Sequence, residues 1–206
     1  MHARVLFLGP VASPIRAYLE QERELVAHTE DRIRPQALET LRPDWIVSHG
    51  YRHILKPDVL SLAPSRFVNC HISYLPWNRG ADPNFWSHYD DTPKGASIHL
   101  IDEGIDTGDL IAQVRMEFLP GDTLRTSYEH LQGALYALFV RTWAGFVAGE
   151  YLPTPQVGAG SFHRMADLKP LAHLLTNGWD TPLEHLSHAH AQRALDPLRL
   201  ADARWL

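Results

Sequence analysis

An asparagine and a histidine two residues apart, Asn69 and His71, close a short apolar run in the segment FVNCHISYLPWNRG. On an extended chain, residues i and i+2 project to the same side, so these two side chains share a face. An amide NH2 can donate to a developing oxyanion, and an imidazole can donate or move a proton. The same pair can be purely structural, with Asn69 capping a turn and His71 satisfied by its neighbours. Further along, His99-Leu-Ile-Asp102-Glu103-Gly104-Ile105-Asp106-Thr107-Gly108-Asp109 crowds three aspartates and a glutamate into eight positions. Such carboxylates can hold a histidine in one tautomer and stabilise its charged form. A hard cation such as Mg2+ or Ca2+ is an alternative occupant, and a plain acidic surface turn is another. Cys70 stands beside His71, but adjacent strand residues face opposite ways, so a Cys70–His71 nucleophile–base couple is geometrically poor. Cys70 reads as a buried strand residue.

Something must carry these groups. Arg4 to Leu8 reads as a buried strand ending at Gly9-Pro10, followed by a helix over Pro14 to Glu24 with proline at its start. Leu25 to Ala27 reads as strand, Pro35 to Leu41 as helix, and Trp45 to Val47 as strand closed by Ser48-His49-Gly50. Lys56 to Ala63 reads as helix, and Phe67-Val68 heads the strand that delivers Asn69, Cys70 and His71. Pro83 to Asp90 follows as a short helix, Ala96 to Ile101 and Leu110 to Met116 as strands, and Leu124 to Ala148 as the longest helix. Alternating strands and helices with short connections predict an α/β fold on a mainly parallel sheet. In such sheets ligands sit beyond the carboxyl ends of the strands, where the polar residues above fall. Residues 1–148 form the expected core. From Gly149 the texture becomes irregular and histidine-rich, and residues 149–206 are expected to be an appendage rather than an independent domain.

The chain of 206 residues is 45% hydrophobic and 21% charged, which excludes wholesale disorder. Its net charge of −5 provides no global field for nucleic acid. One cysteine excludes an internal disulfide and fits a reducing compartment, so a cytoplasmic location is expected. No apolar run approaches the ~20 residues of a membrane span, and the run after the N-terminus is too short for a signal peptide.

Asn69, His71, Ser73, Leu75, Pro76 and Gly80, followed by His99, Asp102, Asp106 and Gly108, form the pattern N-x-H-x-S-x-L-P-x-x-x-G then H-x-x-D-x-x-x-D-x-G. This pattern resembles the folate-dependent formyltransferases, which act on glycinamide ribonucleotide, methionyl-tRNA or amino sugars. The resemblance implies a Rossmann-like core with helices on both faces of the sheet. It implies Asn69, His71 and Asp106 as the catalytic trio, and 10-formyltetrahydrofolate as formyl donor. Gly50-Tyr51-Arg52-His53-Ile54-Leu55 is similar to the family's folate loop. Tyr51, His53, Ile54 and Leu55, with the backbone from Asp102 through Gly104 to Asp106, are then expected to hold the pteridine. On packing grounds alone, Ile54 and Leu55 are core residues. The resemblance names no metal.

The acceptor is sought in Tyr74 to Trp86. Arg79 can pair with phosphate, Asp82 and Asn84 can bond sugar hydroxyls or an amine, and Trp77 or Trp86 can stack on a ring or pack in the core. LPWNRGADPNFW is similar to the amino-sugar branch, which implies a nucleotide-linked amino sugar as the small-molecule acceptor. Gly9-Pro10-Val-Ala-Ser13-Pro14-Ile15 departs from the glycine-rich phosphate loop of the glycinamide ribonucleotide branch. Residues 150–206 carry five basic against six acidic residues, a net −1 and a poor footprint for tRNA. Ser161 to Leu168 resembles a segment that follows the core in sugar formyltransferases, near the core or the dimer interface, and the resemblance implies a homodimer through the C-terminal region. His185, His188 and His190 could bind a transition metal or line a solvated helix, and Leu195, Leu198, Leu200, Trp205 and Leu206 suggest docking onto the core or a partner. The alternatives are transfer to another small amine, hydrolysis of the formyl-folate, and folate binding without turnover.

Overall fold

The computed structural model describes residues 3–187. Its centre is a six-stranded sheet in the order β2-β1-β3-β4-β6-β7. The strands are β1 (Val5–Leu8), β2 (Leu25–Thr29), β3 (Trp45–His49), β4 (Phe67–His71), β6 (Lys94–Leu100) and β7 (Leu110–Met116). β1 pairs in parallel with β2 and β3, and β3 with β4; β4–β6 and β6–β7 are antiparallel. The parallel half comes from strand–helix–strand crossovers through α1 (Pro14–Gln21), α2 (Pro35–Leu41) and α3 (Pro57–Leu60). Two further helices follow, α4 (Pro83–Tyr89) and α5 (Leu124–Val147).

Side-chain alternation along the strands divides the core into two layers. Val5, Phe7, Val47, Val68 and Cys70 pack with Ile15 and Leu19 of α1 and with Leu135, Phe139 and Trp143 of α5. Leu6, Leu8, Ile46 and Phe67 face the other way, onto Leu38 of α2 and Val59 of α3. α5 buries Leu131, Leu135, Leu138, Phe139, Trp143 and Phe146 at helical spacing, and the Thr123–Thr126 capping box closes its N-terminus. Helices therefore cover both faces, as expected.

The boundaries differ where the chain turns sharply. α1 stops at Gln21 rather than Glu24, because Arg23 adopts φ 60° and Glu24 N–H turns back to the Leu19 carbonyl. α3 is one turn long instead of reaching Ala63, since a residue preceding proline, as Ala63 precedes Pro64, is disfavoured in the helical region. β2 runs on to Thr29 because β1 offers partners along its whole length.

After α5 the chain returns to the sheet. Thr154 bridges Leu110, and β8 (Phe162–His163) pairs in parallel with β5 (Arg79–Gly80) as a small second sheet. A 3-10 segment, Met165–Leu174, brings Leu168, Leu171 and Leu174 onto Phe85, Trp86 and Tyr89 of α4, beside Leu124, Leu183 and Leu186. Neither short strand shows in the sequence, because two residues carry no periodicity. No described helix is long and apolar enough to cross a membrane. Of the histidine run only His185 is among the described residues; His188, His190, Leu195, Leu198, Leu200, Trp205 and Leu206 lie outside them.

Candidate active site

β4 places Asn69 and His71 on the face opposite Cys70, at the carboxyl end of the parallel strands. The loop between β6 and β7 brings Asp106 to them. Asp106 sits at φ 53°, and Gly108 is required beside it, since a Cβ there would run into the Leu100 carbonyl. The Asp106 carboxylate then meets four groups. Asn69 Nδ2 donates to Oδ1 at 3.1 Å and Gly80 N–H donates to Oδ2 at 2.8 Å. His71 Nε2 stands 3.7 Å from Oδ2, and His99 Nε2 stands 3.5 Å from Oδ1. Burial opposes the carboxylate's charge, but His71, His99 and the Gly80 N–H outweigh it and hold Asp106 well below the usual carboxylate range.

His99 was part of the sequence motif without an assigned role. Buried at the end of β6, it donates from Nδ1 to the Leu100 carbonyl at 2.6 Å. Its Nε2 lies 3.2 Å from Asn69 Nδ2 and faces Asp106 Oδ1. The bond from Asn69 Nδ2 to Asp106 Oδ1 fixes the side chain toward the loop. His71 Nε2 lies 3.3 Å from the Asn78 carbonyl. The His71 side chain is 11% exposed and that of Asp106 12%, so both border solvent rather than lying fully in the core.

The cleft in front of this cluster has a volume of about 500 Å³. One wall is the loop with Tyr51, His53, Ile54 and Leu55, the floor includes Asn69, His71 and His99, and the rim carries Asp102, Gly104 and Ile105. Phe162, His163, Arg164 and Met165 also line the cleft; they belong to the Ser161 to Leu168 segment, which the sequence singled out without placing it there. All the residues expected at the pteridine therefore line one cleft with the trio. Ile54 is 70% exposed there, which corrects its reading as a core residue, while Leu55 packs against the second core layer. Tyr51 is anchored through its hydroxyl, which donates to the Asp31 carbonyl and accepts from Ile33 N–H. Asp102 folds its own turn, accepting from Gly104 N–H and Thr107 Oγ1. A groove of about 600 Å³ between His88, Lys94, Arg115 and Phe118 contains none of the trio.

The residues expected at the acceptor are less uniform, and none of them lines the cleft. Asn84 is a correction: its amide donates to the Leu124 carbonyl and accepts from Ser127 Oγ, so it ties α4 to α5 and is buried away from the cleft. Trp86 likewise belongs to packing, stacked on His163 at 3.8 Å and 3°. Trp77 is half-buried, with its carbonyl accepting from Ser73 Oγ. Asp82 heads α4 at φ 52° without capping it, and burial raises its carboxyl above the ordinary value. Arg79 directs Nε and Nη2 onto Gln156 Oε1. Cys70 is buried and its thiol is pushed far up by desolvation, which excludes it as a nucleophile. Among the described residues no three His, Cys, Asp or Glu side chains are grouped to hold a metal ion.

The sequence matches the model of the family described as "Formyl transferase" over residues 12–142. Methionyl-tRNA formyltransferase of Myxococcus xanthus (strain DK1622) is 36% identical over 130 residues, covering 61% of this chain and 42% of that protein. The Solibacter usitatus (strain Ellin6076) methionyl-tRNA formyltransferase is 35% identical over 154 residues, covering 72% and 49%. The chain thus spans about half the length of the curated relatives it matches. Among solved structures, formyltransferase PseJ from Anoxybacillus kamchatkensis, in complex with UDP-4,6-dideoxy-4-formamido-L-AltNAc and tetrahydrofolate, is 41% identical. It superposes with a TM-score of 0.83 over 89% of this chain and 97% of that one. A sugar N-formyltransferase from Shewanella sp FDAARGOS_354 shares the fold, with a TM-score of 0.69 at 21% identity over 82% and 79% of the two chains.

Proposed function

This chain belongs to the formyl transferase family, and from that premise we propose that it moves the formyl group of 10-formyltetrahydrofolate onto the primary amine of a nucleotide-linked amino sugar. The observation that carries the reaction type is the Asp106 carboxylate meeting both Asn69 and His71 in a cleft with an exposed apolar wall. Exposed Ile54 and Ile105, with Tyr51 and the turn at Gly104, offer a flat heterocycle apolar faces and backbone hydrogen-bonding groups, so the residues present fit a pteridine.

In this reading the amine nitrogen attacks the formyl carbon, and the carbonyl oxygen takes up the electron pair. Asn69 Nδ2, with one hydrogen on Asp106 Oδ1, donates the other to that oxyanion, and protonated His71 donates a second bond. Asp106 opposes the imidazolium charge at 3.7 Å, so His71 stays a donor while charge develops. The tetrahedral centre collapses with cleavage of the carbon–N10 bond. The amine's proton reaches the leaving nitrogen through His71 or water, giving the formamide and tetrahydrofolate. The near-complete coverage of the PseJ chain supports an amino-sugar acceptor, with Arg79, Asp82 and Trp77 outside the cleft as candidates for the nucleotide side. Transfer to methionyl-tRNA is the second reading, favoured by the curated relatives.

The test mixes the protein with 10-formyltetrahydrofolate and a panel of UDP- and dTDP-linked amino sugars, glycinamide ribonucleotide and methionyl-tRNA, following tetrahydrofolate release. Release only with an amino-sugar nucleotide is expected. Release without any amine would mean hydrolysis, and saturable binding without release would mean a folate-binding protein.

A further inference from the structure

Gln156 lies after Thr154, outside the cleft, and its single amide makes four hydrogen bonds to two separate parts of the site. Nε2 donates to the Asp106 carbonyl at 2.9 Å and to the Gly108 carbonyl at 2.8 Å. Oε1 accepts from Arg79 Nε at 3.2 Å and from Arg79 Nη2 at 3.0 Å. The two carbonyls flank the turn that aims the Asp106 side chain at Asn69 and His71. At φ 53°, Asp106 is a non-glycine residue in the left-handed region, a conformation that the surroundings must hold in place.

At the other end of the amide, Arg79 is a half-buried cation with no carboxylate at ion-pair distance among the described residues. A neutral acceptor orients the guanidinium without cancelling its charge, leaving the Nη1 edge for an anion. β5 carries Arg79 next to Gly80, whose N–H also holds Asp106 Oδ2. The strand that presents the cation and the loop that presents the carboxylate are thus joined twice, once by Gly80 and once by Gln156.

We propose that Gln156 is a positioning residue that couples an anionic group of the acceptor, held by Arg79, to the aim of the Asp106 carboxylate. The proposal rests on the formyl-transfer reading of Arg79 and Asp106. Nothing in the sequence around YLPTPQVGAG marks this glutamine, because its role exists only after the chain has returned from α5 to the sheet.

The test compares wild type, Gln156→Leu, Gln156→Glu, Arg79→Leu and the Arg79→Leu/Gln156→Leu double variant with 10-formyltetrahydrofolate. The acceptors are UDP-4-amino-4,6-dideoxy-L-AltNAc and the same amino sugar without UDP. Gln156→Leu is expected to lower kcat with both acceptors by about tenfold, the scale of one or two lost net hydrogen bonds, and to raise KM only for the UDP-linked one. Gln156→Glu keeps an acceptor for Arg79 but cannot donate to the two carbonyls. Its kcat is expected to fall as in the leucine variant, and its KM for the UDP-linked acceptor to rise because the carboxylate competes for the guanidinium. In the double variant the effects on kcat/KM for the UDP-linked acceptor are expected to be less than multiplicative. Independent, multiplicative effects, or a lowered melting temperature with unchanged kcat and KM, would overturn the coupling while leaving formyl transfer intact. A wild-type protein that transfers to no amino sugar of the panel would overturn both.

Discussion

Replacing Asp106 by asparagine removes one charge from the site with almost no change in shape. In the folded protein the carboxylate faces His71 Nε2 at 3.7 Å and His99 Nε2 at 3.5 Å. At 3.7 Å, a unit charge pair in an effective dielectric of about 20 is worth about 4 kcal/mol, an upper scale for what the imidazolium loses. Removal of one oxyanion-hole donor elsewhere costs about 3 kcal/mol, and His71 without its counter-charge is such a donor impaired. The expected loss in kcat is therefore about 10²- to 10³-fold. The amide can accept from Gly80 N–H or from Asn69 Nδ2 but not from both, so a further 1–3 kcal/mol, roughly, comes off folding stability. The pH dependence separates this charge from general loosening. Asp106 is held below the ordinary carboxylate range, so the stability it contributes is fully present above an unfolded value of about 3.9 and fades as pH falls below it. Urea unfolding at pH 7 and pH 3 should show the gap between wild type and Asp106→Asn narrowing at pH 3. Tetrahydrofolate release measured on the folded variant gives the rate. A kcat within tenfold of wild type would refute the reasoning.

Other substitutions test neighbouring steps. Asn69→Ala removes an oxyanion donor and is expected to lower kcat by about 10²-fold or more with little change in far-UV circular dichroism. Cys70→Ala should keep full turnover in the release assay and lose about 1 kcal/mol or more of stability, because the thiol is packed under α5 and takes no part in chemistry. His88 is buried with Nε2 unpartnered, and desolvation, aided by Lys94, pushes it down to about 3. The unfolded chain binds that proton near 6.5, so wild type should lose about 2 kcal/mol of stability between pH 7 and pH 5, and His88→Asn should lose less. Asn84→Leu should destabilise α4 against α5 in thermal melts while leaving the KM for folate unchanged.

What the sequence made legible was local. The apolar runs at Val5–Leu8 and Trp45 to Val47, and the helix-spaced stripe of α5, are dictated by burial on one or two faces. The Asn69–His71 pair was readable because a strand has period two, and the same rule placed Cys70 on the other side. The acceptor residues were misread where side-chain type stood in for environment. Asn84 looks like a recognition group, yet it is buried against α5; Trp86, which could stack or pack, is packed by the chain that follows α5. Gln156 was invisible, and Phe162–Met165 was singled out by resemblance but not placed at the cleft, because their partners lie far off in sequence and two-residue strands leave no pattern. His99 was visible as a motif member, but its place beside Asn69 and Asp106 depends on the β4–β6 register.

The most direct measurement follows the formyl carbon itself. With 10-[13C]formyltetrahydrofolate, the panel of UDP- and dTDP-linked amino sugars and the wild-type protein, carbon NMR should show the label leaving N10 and appearing as a formamide on an amino sugar. The same label appearing as free formate, or remaining on the folate while the protein binds it, would contradict formyl transfer to an amino sugar.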